Sequence, residues 1–529
     1  MKNLKVLDVT LRDGGCVNDF NFGSTYMEKI LAAQESAGID VIELGYIDSK
    51  DGSPMGRTKY CDEKVIYNNF LKEKKQGITY VAMFDYGKFN PCKLEERNKK
   101  SIDGFRCAFH KKDKNSIVEI GRTIISKGYE FYIQPMITLR YSDTELLELI
   151  ELVNKELPDA AGFYIVDTFG EMLPTDMNRM LNLVDHNLVP TMTIGFHSHN
   201  NLQLSYTNAM SLLQFPTNRN LMLDSSIMGM GKGAGNLNTE LLLGHLNTYY
   251  GKDYKISPIL EVIDKVINQL KSENYWGYSV EYYLSSMNHC TPSYAKHFYD
   301  KHMLPIDQVS ELLSLIKEEK KISFDKEYAE KLYLEYNESK VVNDITVVKD
   351  IENIVSGKNC LLIAPGKSIT NNLDKINRCR EENSAITFGL NPTINMDYDY
   401  YMITRQDIYE TVLPTGKKII VPTNISKGGR GNVSVLNYHN WITVEDKTYD
   451  SSSVILINLL QYCKIKKLFL AGFDGFSIDI NENYYDPGMR HPVDSEQANS
   501  RNNWYKKFFR KLQDNNIEIE FITKSKYEE

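Results

Sequence analysis

At 529 residues the chain exceeds what one hydrophobic core usually supports, so two or three domains are expected. Its 42% hydrophobic and 25% charged composition is that of a globular protein, and no apolar run approaches the roughly 18 residues of a membrane span. The net charge of -8 is mild and the lysines are scattered, which argues against nucleic acid as the main partner.

The start, Met1-Lys2-Asn3-Leu4-Lys5, leads straight into a strand with no apolar signal-peptide core, so a cytoplasmic enzyme is expected. Short β-branched or aromatic runs then alternate with longer helical stretches. "LKVLDVT", "IDVIELGYI", "ITYVAMF", "GFRCAF", "EFYIQPMIT", "AAGFYIVDT", "TMTIGFHSH" and "LMLDSSIMG" read as strands, with helical patterns such as "STYMEKILAAQESAG" and "SDTELLELIELVNKEL" between them. Such an alternation implies a parallel sheet, and eight strands over about 250 residues fit a closed (β/α)8 TIM barrel, with an open doubly wound sheet as the alternative. Residues from about 255 to 345 read as helical, and from Lys358 strand and helix alternate again in "NCLLIAPG", "SAITFGLN", "YDYYMIT", "KKIIVPT", "KKLFLAGFDGF" and "IEIEFIT". The expected organisation is a barrel over 1–290, a helical connecting segment over 291–345 and a Rossmann-like α/β domain over 346–529.

The ends of the barrel strands carry the chemistry, because in this architecture they meet at one face. The first strand ends in "LRDGG", placing Arg12 beside Asp13. The seventh ends in "GFHSHNN", where His197 and His199, one residue apart on a strand, point to the same side. Two imidazoles with a carboxylate make a mixed N/O site for a divalent ion such as Mn, Mg or Zn, with positions left for substrate. The eight cysteines include no C-x-x-C pair, so they read as reduced thiols and leave metal binding to His and carboxylate. After the eighth strand comes "GMGKGAGNLNTE", whose glycines permit close backbone approach and whose Asn236 offers an amide oxygen.

"DVTLRDGG", "VDTFG", "GFHSHNN" and "GMGKGAGNLNTE", in this order over about residues 1 to 290, resemble the metal-dependent pyruvate aldolase and HMG-CoA lyase-like superfamily, most of all its 4-hydroxy-2-oxovalerate aldolase branch. The resemblance implies that Asp13, His197 and His199 bind the metal with Asn236 as a fourth ligand, that Arg12 stabilises an enolate, and that Thr168 lies near a 2-oxo acid. It implies a 2-oxo acid and an aldehyde as substrates; a homo-oligomer is expected. Cys16 stands where those aldolases carry a histidine base, and a neutral thiol is a poor base. Tyr278 and His289 are the alternatives, Tyr278 by a loose match to an aldolase tyrosine.

In the C-terminal half, "CLLIAPGKSI" reads as strand, turn and a helix opened by Ser368, a phosphate-binding arrangement without a Walker or G-x-G-x-x-G motif. With "AITFGLN" and "KKLFLAGFDGF" it resembles bacterial sialyltransferase-like nucleotide-sugar-binding proteins. That resemblance implies a nucleotide site at Gly366, Ser368 and Asn391 with Asp474 nearby, His439 or His491 as a base, and a role in surface-glycan synthesis. Three functions compete: a carbon-carbon aldolase or lyase fused to a nucleotide-sugar domain, a Claisen-type acyl-CoA/2-oxo acid synthase, and a barrel that has lost catalysis and only binds.

Overall fold

The computed structural model describes all residues except 1–3, 300–303, 393, 395, 426–430, 443–450, 490–492, 494 and 529. They form two units, Met1–Pro292 and Ser293–Glu529.

In the first unit the apolar runs become eight parallel strands: β1 (Leu4–Asp8), β2 (Val41–Ile47), β3 (Thr79–Asp85), β4 (Gly104–Phe109), β5 (Glu130–Pro135), β6 (Gly162–Asp167), β7 (Thr193–Ser198) and β8 (Leu221–Ser225). Each pairs with its sequence neighbour, and β1 pairs with β8 on one side and with β2 on the other through Leu7↔Val41, so the sheet closes. Closure excludes the open-sheet alternative. A two-residue strand, Lys59–Tyr60, hangs on β2 outside the ring.

Strands in such a sheet are covered on both faces, which is why "GFRCAF" and "GFYIVD" are buried at every residue. One face meets helices that bury a stripe at helical spacing, as with Leu146, Leu149, Ile150 and Val153 on Asp143–Glu156, whose start is fixed by a Ser142–Glu145 capping box. The other face fills the lumen, where Leu7, Val9, Val41, Val81, Tyr132, Tyr164, Val166 and Met222 form a core of their own. One lumen layer departs from the apolar norm: Glu43 of β2, Arg106 of β4, Tyr164 of β6 and Asp224 of β8 supply it from alternate strands, and three of the four carry charge.

The second unit holds a seven-stranded, all-parallel sheet of β9 (Asn359–Ile363), β10 (Ile386–Leu390), β11 (Tyr400–Met402), β12 (Ile419–Pro422), β13 (Val433–Leu436), β14 (Lys467–Ala471) and β15 (Glu518–Phe521). Its order is β13-β12-β11-β10-β9-β14-β15, reversing direction at β9. β13, "VSVL", escapes sequence reading because a four-residue strand flanked by Gly, Asn and Asn carries almost no periodic signal. The helices Ile306–Ser314 and Lys326–Glu338, read from sequence as a connecting segment, fall within this unit.

Because the barrel closes on itself and owns its core, a chain ended at Pro292 is expected to fold alone. A single cooperative melting transition by circular dichroism checks this; insoluble material from every end point between 285 and 300 would show a shared core.

Candidate metal centre

β1 ends at Asp8, and the next residues turn over it: the N–H groups of Arg12 and Asp13 both donate to the Val9 carbonyl, at 3.0 and 2.8 Å. Asp8 holds the turn in place by accepting from Thr10 N, Gln34 Nε2 and Thr239 Oγ1 at 2.8, 2.6 and 2.6 Å. The turn delivers Asp13 to the end of β7, where it meets His197 and His199. One ligand atom of each lies within 4.8 Å of the others, all three are buried, and the two imidazoles stand edge to face with centroids 5.2 Å apart.

The Gly-rich loop completes the cluster. Asn236 Nδ2 donates to Asp13 Oδ2 at 2.7 Å, leaving Asn236 Oδ1 buried without a partner among the described residues, like His199 Nδ1. Buried acceptors are rarely left unmade, so these orphans fit a cation as a missing partner. Gly231 is what lets the loop come so near: a Cβ there would sit 2.6 Å from Asp13 Oδ2 and 2.2 Å from Asn236 Nδ2.

The protonation states suit a hard divalent ion. Burial alone would raise the Asp13 carboxyl, but Arg12, the two histidines and the Asn236 amide outweigh it and hold it far below the usual carboxylate range. Burial pulls His199 down to about 4 against the upward pull of Asp13, so the imidazole is neutral at pH 7. A carboxylate, two imidazoles and an amide oxygen are the donor set expected for Mn, Mg or Zn.

Behind the cluster runs a buried chain of alternating charge. Arg12 Nη1 donates to Asp13 Oδ1 at 2.6 Å and its Nε to Glu43 Oε2 at 2.7 Å. Glu43 Oε1 lies 3.0 Å from Arg106 Nη1, an ion pair too bent for a directed hydrogen bond. Arg106 Nη2 pairs with Asp224 Oδ2, the oxygen that His197 Nδ1 reaches at 2.9 Å. Gln134, with its amide oxygen turned inward, accepts from Arg106 Nη2 and Nε at 3.0 and 3.1 Å, and the guanidinium stacks 4.7 Å over Tyr164. Burial would raise the Asp224 carboxyl, but Arg106 and His197 hold it low, so Asp224 stays an acceptor and fixes His197 with Nδ1–H toward itself and Nε2 toward the cluster. Arg12 keeps one buried donor, Nη2, without a partner among the described residues.

Residues 105–266 match the HMGL-like family. The relatives agree: a 4-hydroxy-2-oxovalerate aldolase of Carboxydothermus hydrogenoformans is 29% identical over 274 residues, covering 50% of this chain and 77% of its own. A second, 4-hydroxy-2-oxovalerate aldolase 2 of Comamonas testosteroni, is 26% identical over 46% of this chain and 68% of its own. Among solved structures, the HMG-CoA lyase of Bacillus subtilis aligns over 51% of this chain and 93% of its own at 13% identity and a TM-score of 0.41.

Around the HMGL-like segment the remaining sequence-derived residues fare differently. Thr168 follows β6 and spends an acceptor position on Ile137 N at 2.8 Å, keeping its O–H to donate. Cys16 is open to solvent. The partial desolvation of its sulfur and the Asp13 carboxylate push its thiol up against Arg12 and Lys232, so the thiol is protonated at pH 7. Tyr278 is 52% exposed and no hydrogen bond among the described residues ties it to the cluster. All eight cysteines are free.

In the second unit Gly366, Ser368 and Asp474 come together, but not as free phosphate donors. Ser368 lies in a five-residue 3-10 turn rather than at the start of an α-helix. Its N–H and O–H both go to Asp474, at 2.7 and 2.5 Å, so the expected open donors are already capped. Space over Gly366 is taken as well, since a Cβ there would meet the Gly472 carbonyl at 2.2 Å. Asn391 is used elsewhere: its amide donates to Thr404 and Ser452 and accepts from Thr404 N at 2.7 Å. His439 is half-buried with Nδ1 unpartnered among the described residues, and His491 lies outside them.

Sequence reasoning missed Glu43, Arg106 and Asp224. Their signal was a single charge inside an apolar strand, in "VIELGYI", "GFRCAF" and "LMLDSS", where burial demands a partner. Asp224→Asn is expected to weaken metal binding about 10- to 100-fold by releasing His197, with little change in fold, as isothermal titration with Mn would read.

Proposed function

We propose that the barrel is a divalent-metal-dependent aldolase or lyase that breaks a carbon-carbon bond beside a 2-oxo acid through a pyruvate-type enolate. The observation that carries this reading is the unpartnered Arg12 Nη2 beside the Asp13, His197 and His199 cluster: a directed cationic donor next to a cation site is what a developing enolate oxygen needs. Asp13, His197, His199 and Asn236 Oδ1 would hold the metal, which when bound supplies Lewis-acid polarisation of the 2-oxo group. Arg12, held by Asp13 and Glu43, offers its free donor to the enolate without reorganising. Thr168, which follows β6 and accepts from Ile137 N, would offer its O–H to the 2-oxo acid's carboxylate. The names of the relatives support a 4-hydroxy-2-oxo acid cleaved to pyruvate and an aldehyde.

Pyruvate release from 4-hydroxy-2-oxo acids, set beside free-thiol release from acetyl-CoA, tests the reading. Pyruvate without thiol is expected, abolished by EDTA and restored by Mn or Mg. Thiol release would mean a Claisen-type synthase, and neither product would mean a barrel that only binds.

The same proposal extends to the second unit as a Rossmann-like nucleotide or nucleotide-sugar domain serving surface-glycan synthesis, making the protein bifunctional. Its support is the reversal of strand order between β9 and β14, since open parallel sheets take ligands at the carboxyl ends of strands at such a point. With Ser368 capped by Asp474, the phosphates would sit elsewhere along those ends. Bound nucleotide stabilises the folded state by mass action, so the melting temperature should climb with the logarithm of CMP, CDP, UDP or GDP-sugar concentration. No shift with any of them leaves the unit without a nucleotide role.

A further inference from the structure

A second polar constellation sits on the barrel's catalytic rim, built from residues outside the metal cluster. Glu171 follows β6, in a loop fixed by Asp167, whose carboxylate accepts from the N–H groups of Glu171 and Met172 at 2.9 and 3.2 Å. The Glu171 carboxylate is buried, its side chain only 2% exposed, and it accepts from His289 Nδ1 at 2.7 Å and from Arg140 Nε at 3.1 Å. Arg140 follows β5 and also donates through Nη2 to the His289 carbonyl at 2.8 Å. Glu171 and Arg140 therefore lie beyond the carboxyl ends of their strands, the face that also holds Asp13 and the histidines.

Hydrogen bonds tie the two constellations together. The Phe169 carbonyl accepts from Ser286 Oγ at 2.7 Å and from Asn201 Nδ2 at 2.9 Å. Asn201 stands two residues past His199, and its Oδ1 takes the N–H of Ala234 at 2.9 Å, in the Gly-rich loop that runs on to Asn236. Ser286 lies in the last turn of the helix Val280–Met287, which leads into His289. The imidazole is thus anchored through Nδ1 to a buried carboxylate, while its side chain is 57% exposed and Nε2 has no hydrogen bond among the described residues.

We infer that His289 with Glu171 is the acid/base pair of the barrel's bond cleavage, taking the place that Cys16 cannot fill. This rests on the aldolase reading above. Glu171 sets the tautomer with Nδ1–H toward itself, leaves Nε2 as the base, and stabilises the imidazolium that forms. Nε2 takes the proton from the 4-hydroxyl of a 4-hydroxy-2-oxo acid. The O–H electron pair becomes the carbonyl bond of the aldehyde, the C3–C4 bond breaks, and its pair forms the enolate whose oxygen Arg12 holds. The imidazolium then returns the proton to C3 through water, giving the 2-oxo acid and regenerating the base.

Two reactions of the full-length protein loaded with Mn separate this pair from the enolate chemistry. Cleavage of 4-hydroxy-2-oxovalerate needs the hydroxyl proton removed; decarboxylation of oxaloacetate reaches the same enolate without that step. His289→Gln should lower cleavage by at least about 100-fold and decarboxylation by less than about 3-fold. His289→Gly, tolerated because the backbone there has φ 58°, should lose cleavage likewise and regain at least about 10-fold with added imidazole. Undiminished cleavage in His289→Gln, or an equal fall in both reactions with no rescue by imidazole, overturns the inference. A wild-type protein that performs neither reaction overturns the aldolase reading itself.

Discussion

His199→Ala is expected to abolish turnover and to weaken Mn binding by more than about 100-fold, beyond what loss of an outer-shell partner costs, because it deletes one of few inner ligands. His199 is neutral through burial, its Nδ1 makes no hydrogen bond among the described residues and lies 3.9 Å from Asp13 Oδ2, and Asn236 donates to that same oxygen. The fold should survive, since among the described residues the imidazole makes no hydrogen bond that a smaller residue would orphan. Equilibrium dialysis against Mn, followed by activity after chelation and reloading, reads both effects. Full activity in chelated wild type, or unchanged Mn affinity in the variant, would remove the cluster from the reaction.

Arg106→Leu is expected to cost stability rather than metal contact. The guanidinium is fully buried between Glu43 and Asp224, so its removal takes a counter-charge from two lumen carboxylates and leaves Glu43 with Arg12 and Asp224 with His197 alone. Breaking a buried pair in this way costs about 3–5 kcal/mol. In a unit of this size that is a fall on the order of 10 °C in melting temperature. Arg106→Lys should recover only part of it, because an ammonium cannot reach both carboxylates with a planar fork and stack on Tyr164 as well. A triple replacement of Glu43, Arg106 and Asp224 by apolar residues of similar volume should be more stable than Arg106→Leu alone. If it is not, packing rather than charge dominates this layer.

The ring of strands and the clustering of Asp13 with His197 and His199 were legible in the sequence because both are written locally. Period and length mark a buried strand, and "RD" and "HSH" place their side chains by position on a strand end alone. The alternating chain behind them was not, since Glu43, Arg106 and Asp224 are far apart in sequence and meet only when the barrel closes. His289 was visible as a candidate, but its carboxylate partner was not: Glu171 lies 118 residues away and reads as the polar start of a loop. The phosphate turn at Ser368 misled for the opposite reason. Its local pattern was sound, and a carboxylate from the end of β14, 106 residues on, had taken the donors.

The candidate metal cluster draws on the turn after β1, the end of β7 and, through Asn236, the loop after β8, which are adjacent staves of the closed ring. Glu171 and Arg140 come from the segments after β6 and β5, and the tops of β3 and β4 belong to neither group. On the aldolase reading proposed above, chemistry and partner choice would be divided by arc. Lengthening or rebuilding the crossings above β3 and β4 would then reshape the room for an aldehyde's tail while leaving the candidate cation site and His289 in register, so a barrel of the proposed activity should accept new acceptor aldehydes by grafting there more readily than it would accept a new metal.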